Sequence, residues 1–170
     1  MTDEELISRT VELARESVRE GWGGPFGALV VHDGEVIATG QNVVLRSGDP
    51  TAHAEVVAIR NAAAHRWPST LDPLPGDPDG RARMLSGCTL YTSSFPCPMC
   101  YSAIAWARID AVVYACDVAD AAAVGFDDEF LYQDLARPVA GRRLPIRQVG
   151  RDVARRAFAE WLEQPNRRLY

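Results

Sequence analysis

The chain has 170 residues, enough for one domain with its own core, and carries a formal net charge of -5 at pH 7 from 18 Lys and Arg against 23 Asp and Glu. That balance argues against a phosphate-coated partner, which needs clustered cations; Arg142, Arg143, Arg147, Arg151, Arg155 and Arg156 are interspersed near a C-terminal helix, as on a solvated face. No apolar run reaches the roughly 18 residues of a membrane span, and the acidic, polar start "MTDEELISRT" is no secretory signal, so a soluble cytoplasmic protein is expected.

Leu6, Ile7, Thr10, Val11, Leu13, Ala14 and Val18 recur at helical spacing over 3–20, and "GWGGPFG" then stops the helix. "FGALVV" and "EVIATG" flank "HDG", whose Asp-Gly pair signals an antiparallel hairpin. The next helix is opened by "DPTAHAE", with Asp49 as a capping acid and Pro50 tolerated in a first turn. Residues 66–83, "RWPSTLDPLPGDPDGRAR", are crowded with prolines and predict a surface excursion. "CTLYTS" and "AVVYAC" read as buried strands, and "PMCYSAIAWAR" between them has the length of a crossover helix, which implies parallel neighbours. A helix near 127–137, a short strand "LPIRQVG" at 144–150 and a last helix over 152–163 complete the pattern. The expected architecture is a single domain over 1–170, a three-layer α/β/α fold with a mixed sheet of about five strands.

Four cysteines are too few for a disulfide scaffold, and Cys97 and Cys100 form C-x-x-C, so metal or redox chemistry is the question. At i and i+3 they share one side of a helix, with Pro98 suited to its first position. The helix dipole and a bound metal both favour thiolate there. His53 and Glu55 lie two apart; within a regular helix they would point about 200° from each other. They converge only if His53 stands at the helix mouth. His53, Cys97 and Cys100 then supply three zinc ligands and leave the fourth position to water, whereas structural sites close with four. Zinc lowers the pKa of its water to about 7, and Glu55, not needed as a ligand, is placed to carry protons.

H-x-E followed by P-C-x-x-C is the signature of zinc deaminases, and composition alone would produce the pair about 0.001 times in such a chain. A redox C-x-x-C would leave H-x-E unexplained. Cys88 and Cys116, at strand ends, read as small core residues, and His32 and His65 as surface residues.

"GGPFGALVV", "GQNVV", "DPTAHAEVVAIR", "LYTS", "PCPMC", "AIAWAR", "GFDDEF" and the terminal Tyr170 together resemble the bacterial guanine deaminases of the cytidine-deaminase superfamily, over nearly the whole chain. The resemblance implies one Zn2+ per subunit, a free nucleobase as substrate and the conversion of guanine to xanthine and ammonia. It implies that Asn42 hydrogen-bonds the base, that Glu55 shuttles protons, and that Asp128 contacts the substrate amine. It also implies that Trp106 and Tyr170 close the pocket, in a homodimer whose C-terminal segments are exchanged, so that Tyr170 comes from the partner. By their own chemistry Asn42 is equally a turn cap, Trp106 a core residue, and Asp128 an acid at a helix start. Phe26 is either strand core or a ring stacked on the base.

One departure stands out. Ser94 and Phe95 precede the P-C-x-x-C motif where the family usually has Cys-Glu, and the proline-rich segment is longer than expected. Both bear on the substrate rather than the reaction class. Cytosine, an amino-triazine such as ammeline, and guanosine-type nucleosides remain alternatives to guanine. Editing of adenosine in transfer RNA would require a basic face. A noncatalytic zinc protein would require a fourth ligand and would give Glu55 no role.

Overall fold

A computed structural model describes residues 1–66, 84–165 and 167 of the chain; nearly all of the proline-rich segment, and Tyr170, lie outside the described residues. Two compact units are present, the first with described residues 1–66 and 84–128, the second with 129–165 and 167.

The first unit opens with α1 (Asp3–Arg19), which starts where the sequence provides a cap. Thr2 Oγ1 accepts from the Glu5 amide at 3.2 Å while the Glu5 carboxylate accepts from the Thr2 amide at 2.9 Å, a reciprocal arrangement worth about 1 kcal/mol. Leu6, Thr10, Ala14 and Ser17 form its buried stripe. Strands β1 (Gly27–His32) and β2 (Glu35–Gln41) pair antiparallel as expected. Asp33 and Gly34 connect them with φ of 50° and 80°, the left-handed pair that matches strand twist and that Asp-Gly tolerates. A short α2 (Val44–Ser47), not foreseen from sequence, precedes α3 (Ala54–Arg66). Then follow β3 (Cys88–Ser94), α4 (Pro98–Trp106), β4 (Ala111–Cys116) and α5 (Val118–Ala123).

The strand order is β2-β1-β3-β4, with β1 antiparallel to β3 and β3 parallel to β4 across the α4 crossover. The sheet is therefore mixed. Alternate side chains divide between its faces. Leu29, Val31 and Tyr91 meet Leu6 of α1 on one side. Ala28, Val30, Cys88 and Leu90 meet Ala54, Ala58 and Ala62 of α3 with Ile104 and Ala107 on the other. Three layers result. The alanine row lets α3 lie close to β2, so close that a Cβ on Gly40 would run into the Ala54 carbonyl oxygen and the Ala58 amide nitrogen. That backbone approach fixes where the first residues of α3 emerge.

The second unit holds α6 (Glu129–Leu135), a 3-10 turn at Val139–Gly141 and α7 (Arg151–Glu163). Both helices lie where periodicity puts them, but the strand expected at 144–150 is not formed, so the described residues contain four strands rather than about five. Pro145 has no N–H to give a ladder, and Leu144, Ile146 and Val149 are exposed rather than covered, so alternation alone found no partner. None of residues 129–165 is buried. Among the described residues no helix is long and apolar enough to cross a membrane.

Two outcomes follow from this packing. Gly40→Ala must push α3 off the sheet by backbone, not side-chain, displacement, and is expected to cost about 3 kcal/mol, read as a lower urea midpoint at unchanged slope. Tyr91 donates its hydroxyl to Asp3 at 2.7 Å, and this bond, with burial, pushes the phenol up to about 12. Since the unfolded phenol titrates near 10, the stabilisation is complete below that pH and disappears as pH rises through about 12. Ultraviolet titration is expected to show one late tyrosine, shifted back toward 10 in Asp3→Asn.

Candidate active site

Two helix beginnings build the site. Asp49 turns the chain before α3: its carboxylate accepts from the Thr51 amide at 2.8 Å and hydroxyl at 2.7 Å, which holds it below the usual carboxylate range. Asp49 and Pro50 therefore shape the turn ahead of the helix and do not form its first turn, a correction to the sequence reading. The consequence is that His53 falls immediately before Ala54, its carbonyl accepting from Val57 at 2.9 Å, while Glu55 is already helical. The two residues escape the divergence of a regular helix because one of them stands outside it.

The second beginning follows β3. Cys97 is the N-cap residue of α4, with extended backbone, and Pro98 takes the first helical position as expected. Tyr101 donates to the Cys97 carbonyl at 2.8 Å, so Cys100 sits on the same first turn. The sulfurs of Cys97 and Cys100 lie 3.6 and 3.5 Å from His53 Nδ1, and the three ligand atoms are all within 4.8 Å of one another. A tetrahedral zinc with Zn–S near 2.3 Å and Zn–N near 2.0 Å separates sulfur from nitrogen by about 3.5 Å. The donor set fits zinc in kind and in spacing. Among the described residues no fourth donor joins this group.

The electrostatics agree. In the protein alone Cys100 donates to Cys97, holding the Cys97 thiol down at about 4, with His53 assisting; the same pairing and burial push Cys100 up. The Cys97 contact raises His53. A coordinated divalent cation takes over the role of that shared proton and holds both sulfurs as thiolates. Glu55 is only 6% exposed, reaches the Cys100 sulfur, and is raised chiefly by burial. Asp128 is raised by burial and then by the Cys97 charge; its Oδ1 is buried and has no hydrogen-bond partner among the described residues. His53, Cys97, Cys100, Glu55 and Asp128 thus share one electrostatic neighbourhood.

The remaining predicted residues divide. Asn42 is buried, and its Oδ1 accepts from the Val44 amide at 3.2 Å, so it does cap a turn. Ser17 donates to its carbonyl at 2.6 Å, while its Nδ2 has no partner among the described residues. A Cβ on Gly23 would run into this side chain, so the backbone there lies directly against Asn42. Phe26 is half-buried and meets Phe126 edge to face, centroids 4.9 Å apart and planes at 86°. Trp106 ends α4 and is 61% exposed, which removes the core alternative. Cys88 is core, but Cys116 is exposed at the end of β4, contrary to its reading as a core residue. Phe95, where the family usually has Glu, is half-buried and meets Tyr114 of β4 edge to face at 5.0 Å. Phe126 was missed; the signal available was an aromatic residue directly after Gly125 at a helix end.

Residues 1–116 match the cytidine and deoxycytidylate deaminase zinc-binding region. The chain belongs to this family of zinc-dependent deaminases. It is 45% identical to guanine deaminase of Bacillus subtilis over 170 residues, the whole of both chains. The X-ray structure of that enzyme superposes with a TM-score of 0.88, covering 100% of this chain and 99% of the other. A guanine deaminase structure from Nitrosomonas europaea gives a TM-score of 0.58 at 31% identity, over 73% of this chain and 64% of that one. The tRNA-specific adenosine deaminase of Haemophilus influenzae is 34% identical over 74% of this chain and 68% of its own. As a member of the deaminase family the chain is a zinc-dependent aminohydrolase, and His53, Cys97 and Cys100 are the group that can hold its metal.

Protein purified without chelators is expected to carry one zinc per chain by atomic emission. Cys97→Ser and Cys100→Ser should be substoichiometric, and stripping with 1,10-phenanthroline should lower the melting temperature until zinc is restored.

Proposed function

We propose that the chain hydrolyses guanine to xanthine and ammonia, and that the metal site with its buried acid is where this occurs. The observation carrying the reading is a three-donor zinc site beside a carboxylate that is not a ligand, in a chain alike to a guanine deaminase from end to end. The tRNA deaminase likeness is partial, and the acidic balance gives no support to an RNA partner.

When bound, zinc brings the pKa of its water to about 7 and so supplies a nucleophile at neutral pH. Glu55 would take a first proton from this water and pass it to a ring nitrogen, then take the second, left on the oxygen now bonded to carbon, and pass it to the departing amine. One water is consumed and one ammonia leaves. Asp128, whose buried Oδ1 has no partner among the described residues, accepts a hydrogen bond from the exocyclic amine and holds it in line to leave. Asn42 keeps Nδ2 for an acceptor on the base edge while Oδ1 stays fixed to Val44. Phe26 flanks the base as an apolar wall, already braced by Phe126.

The chain acts as one deaminase domain over 1–170 and works in the cytoplasm as a homodimer that exchanges C-terminal segments. Supporting this, α7 carries Val153, Phe158 and Leu162 at 66, 71 and 64% exposure, a cost of about 1.5–3 kcal/mol per side chain that a second copy would relieve. In that assembly Trp106 and the partner's terminal tyrosine close the pocket over the base.

The assay is ultraviolet loss of guanine with ammonia release. Wild type is expected to turn over guanine ahead of cytosine, ammeline and guanosine, and Glu55→Gln to lose about 100- to 10,000-fold in kcat with zinc retained. A wild type that leaves all four intact contradicts the reading.

A further inference from the structure

Phe126 braces Phe26, but the proposed chemistry gives it no contact with the base or the metal donors. The chain around it is unusually determined. Helix α5 ends in a Schellman turn: Gly125, at φ 96°, donates to Ala122 at 3.0 Å, and Phe126 donates back to Ala121 at 3.0 Å. In such turns the residue at the Phe126 position commonly packs back on its own helix. Here the ring turns instead to the first hairpin, meeting Phe26 edge to face at 4.9 Å. It reaches that position through a notch left by Gly24. A Cβ on Gly24 would stand 2.9 Å from Phe126 Cζ, 3.1 Å from Phe126 Cε1 and 3.0 Å from Phe26 Cε2. Two residues on, the Asp128 Oδ1 is buried with no hydrogen bond among the described residues to hold it.

A carboxylate whose Oδ1 lacks such a bond takes its position from the backbone that carries it. We propose that Phe126, seated in the Gly24 notch against Phe26, is a positioning residue that aims Asp128 at the substrate amine. This rests on the aminohydrolase reading given above and adds a structural cause for the placement of its second acid. Removing the ring frees residues 125–128 to move. A shift of an ångström in a positioned group costs about 100-fold in rate without a matching loss of affinity. The ring is 44% exposed, so its loss leaves the core intact.

The test is a set of variants assayed for ammonia release from guanine. Phe126→Ala is expected to lower kcat about 10- to 100-fold with KM nearly unchanged and zinc content at the wild-type value. In an Asp128→Ala background the same change should cost nothing more, because the two act in series. Phe126→Tyr is the sharper probe: its hydroxyl grows from Cζ, the atom already against Gly24, so an aromatic substitution that an ordinary surface position accepts should also lower kcat. Gly24→Ala displaces the ring from the other side and serves if Phe126→Ala does not fold. A readout independent of turnover is hydrogen exchange, expected to speed up at the amides of 126–128 in Phe126→Ala but not in Asp128→Ala. Wild-type kcat in Phe126→Ala and Phe126→Tyr, with Asp128→Ala impaired, overturns the positioning role and leaves the aminohydrolase reading standing. A drop that persists in full without Asp128 overturns it too. A wild type that releases no ammonia from any free base removes the reading and the inference together.

Discussion

Two sulfurs and one imidazole nitrogen, separated by the edge length of a zinc tetrahedron, are what the rest of the first unit exists to maintain. None of the three donors belongs to the regular interior of a helix: His53 precedes α3, Cys97 caps α4 and Cys100 lies in its first turn. Their distances depend on where two helix beginnings meet. That junction is set by docking both helices on one sheet face through small side chains, Ala54, Ala58 and Ala62 from α3 and Ala107 after α4, with Gly40 admitting the backbone of α3. Larger residues there would bury more apolar area. They would also move the ligands apart.

The acids are fixed differently. Glu55 is carried by the same helix whose mouth presents His53, so the metal donor and the proposed proton carrier move as one body. Asp128 arrives from a separate part of the chain, the turn after α5, two residues past the Phe126 ring that meets Phe26. The adjacent glycines of "GWGGPFG" serve both sides of this arrangement: Gly23 lies against Asn42, and Gly24 lies against Phe126. A stretch that reads from sequence as a helix stop is, in three dimensions, the surface against which Asn42 and Phe126 pack.

Much of this was legible in the residues. Asp-Gly gave the hairpin because its left-handed φ pair requires that chemistry; the apolar runs on either side of "PMCYSAIAWAR" gave the parallel crossover; and P-C-x-x-C with H-x-E gave the metal group outright. What failed did so for identifiable reasons. Asp49 and Pro50 are start signals in general, yet here Thr51 captures the Asp49 carboxylate and delays the helix to Ala54. The alternation at 144–150 predicts a strand only if a neighbour pairs with it, and Pro145 weakens that pairing. The notch at Gly24 was invisible because it joins residues about a hundred positions apart, and neither a period nor a motif links them. Phe95 was seen as a departure from the family, but its contact with Tyr114 of β4 could only be found in space.

The donors His53, Cys97 and Cys100 would hold zinc by two thiolates and one imidazole, with its last position left to solvent. X-ray absorption at the zinc edge of the purified protein tests it directly. Two sulfur scatterers near 2.3 Å and two nitrogen or oxygen scatterers near 2.0 Å are the expected result, with one of the light atoms replaced or displaced when a purine analogue is added. Three or more sulfurs in the shell, or a shell that no ligand perturbs, would contradict it.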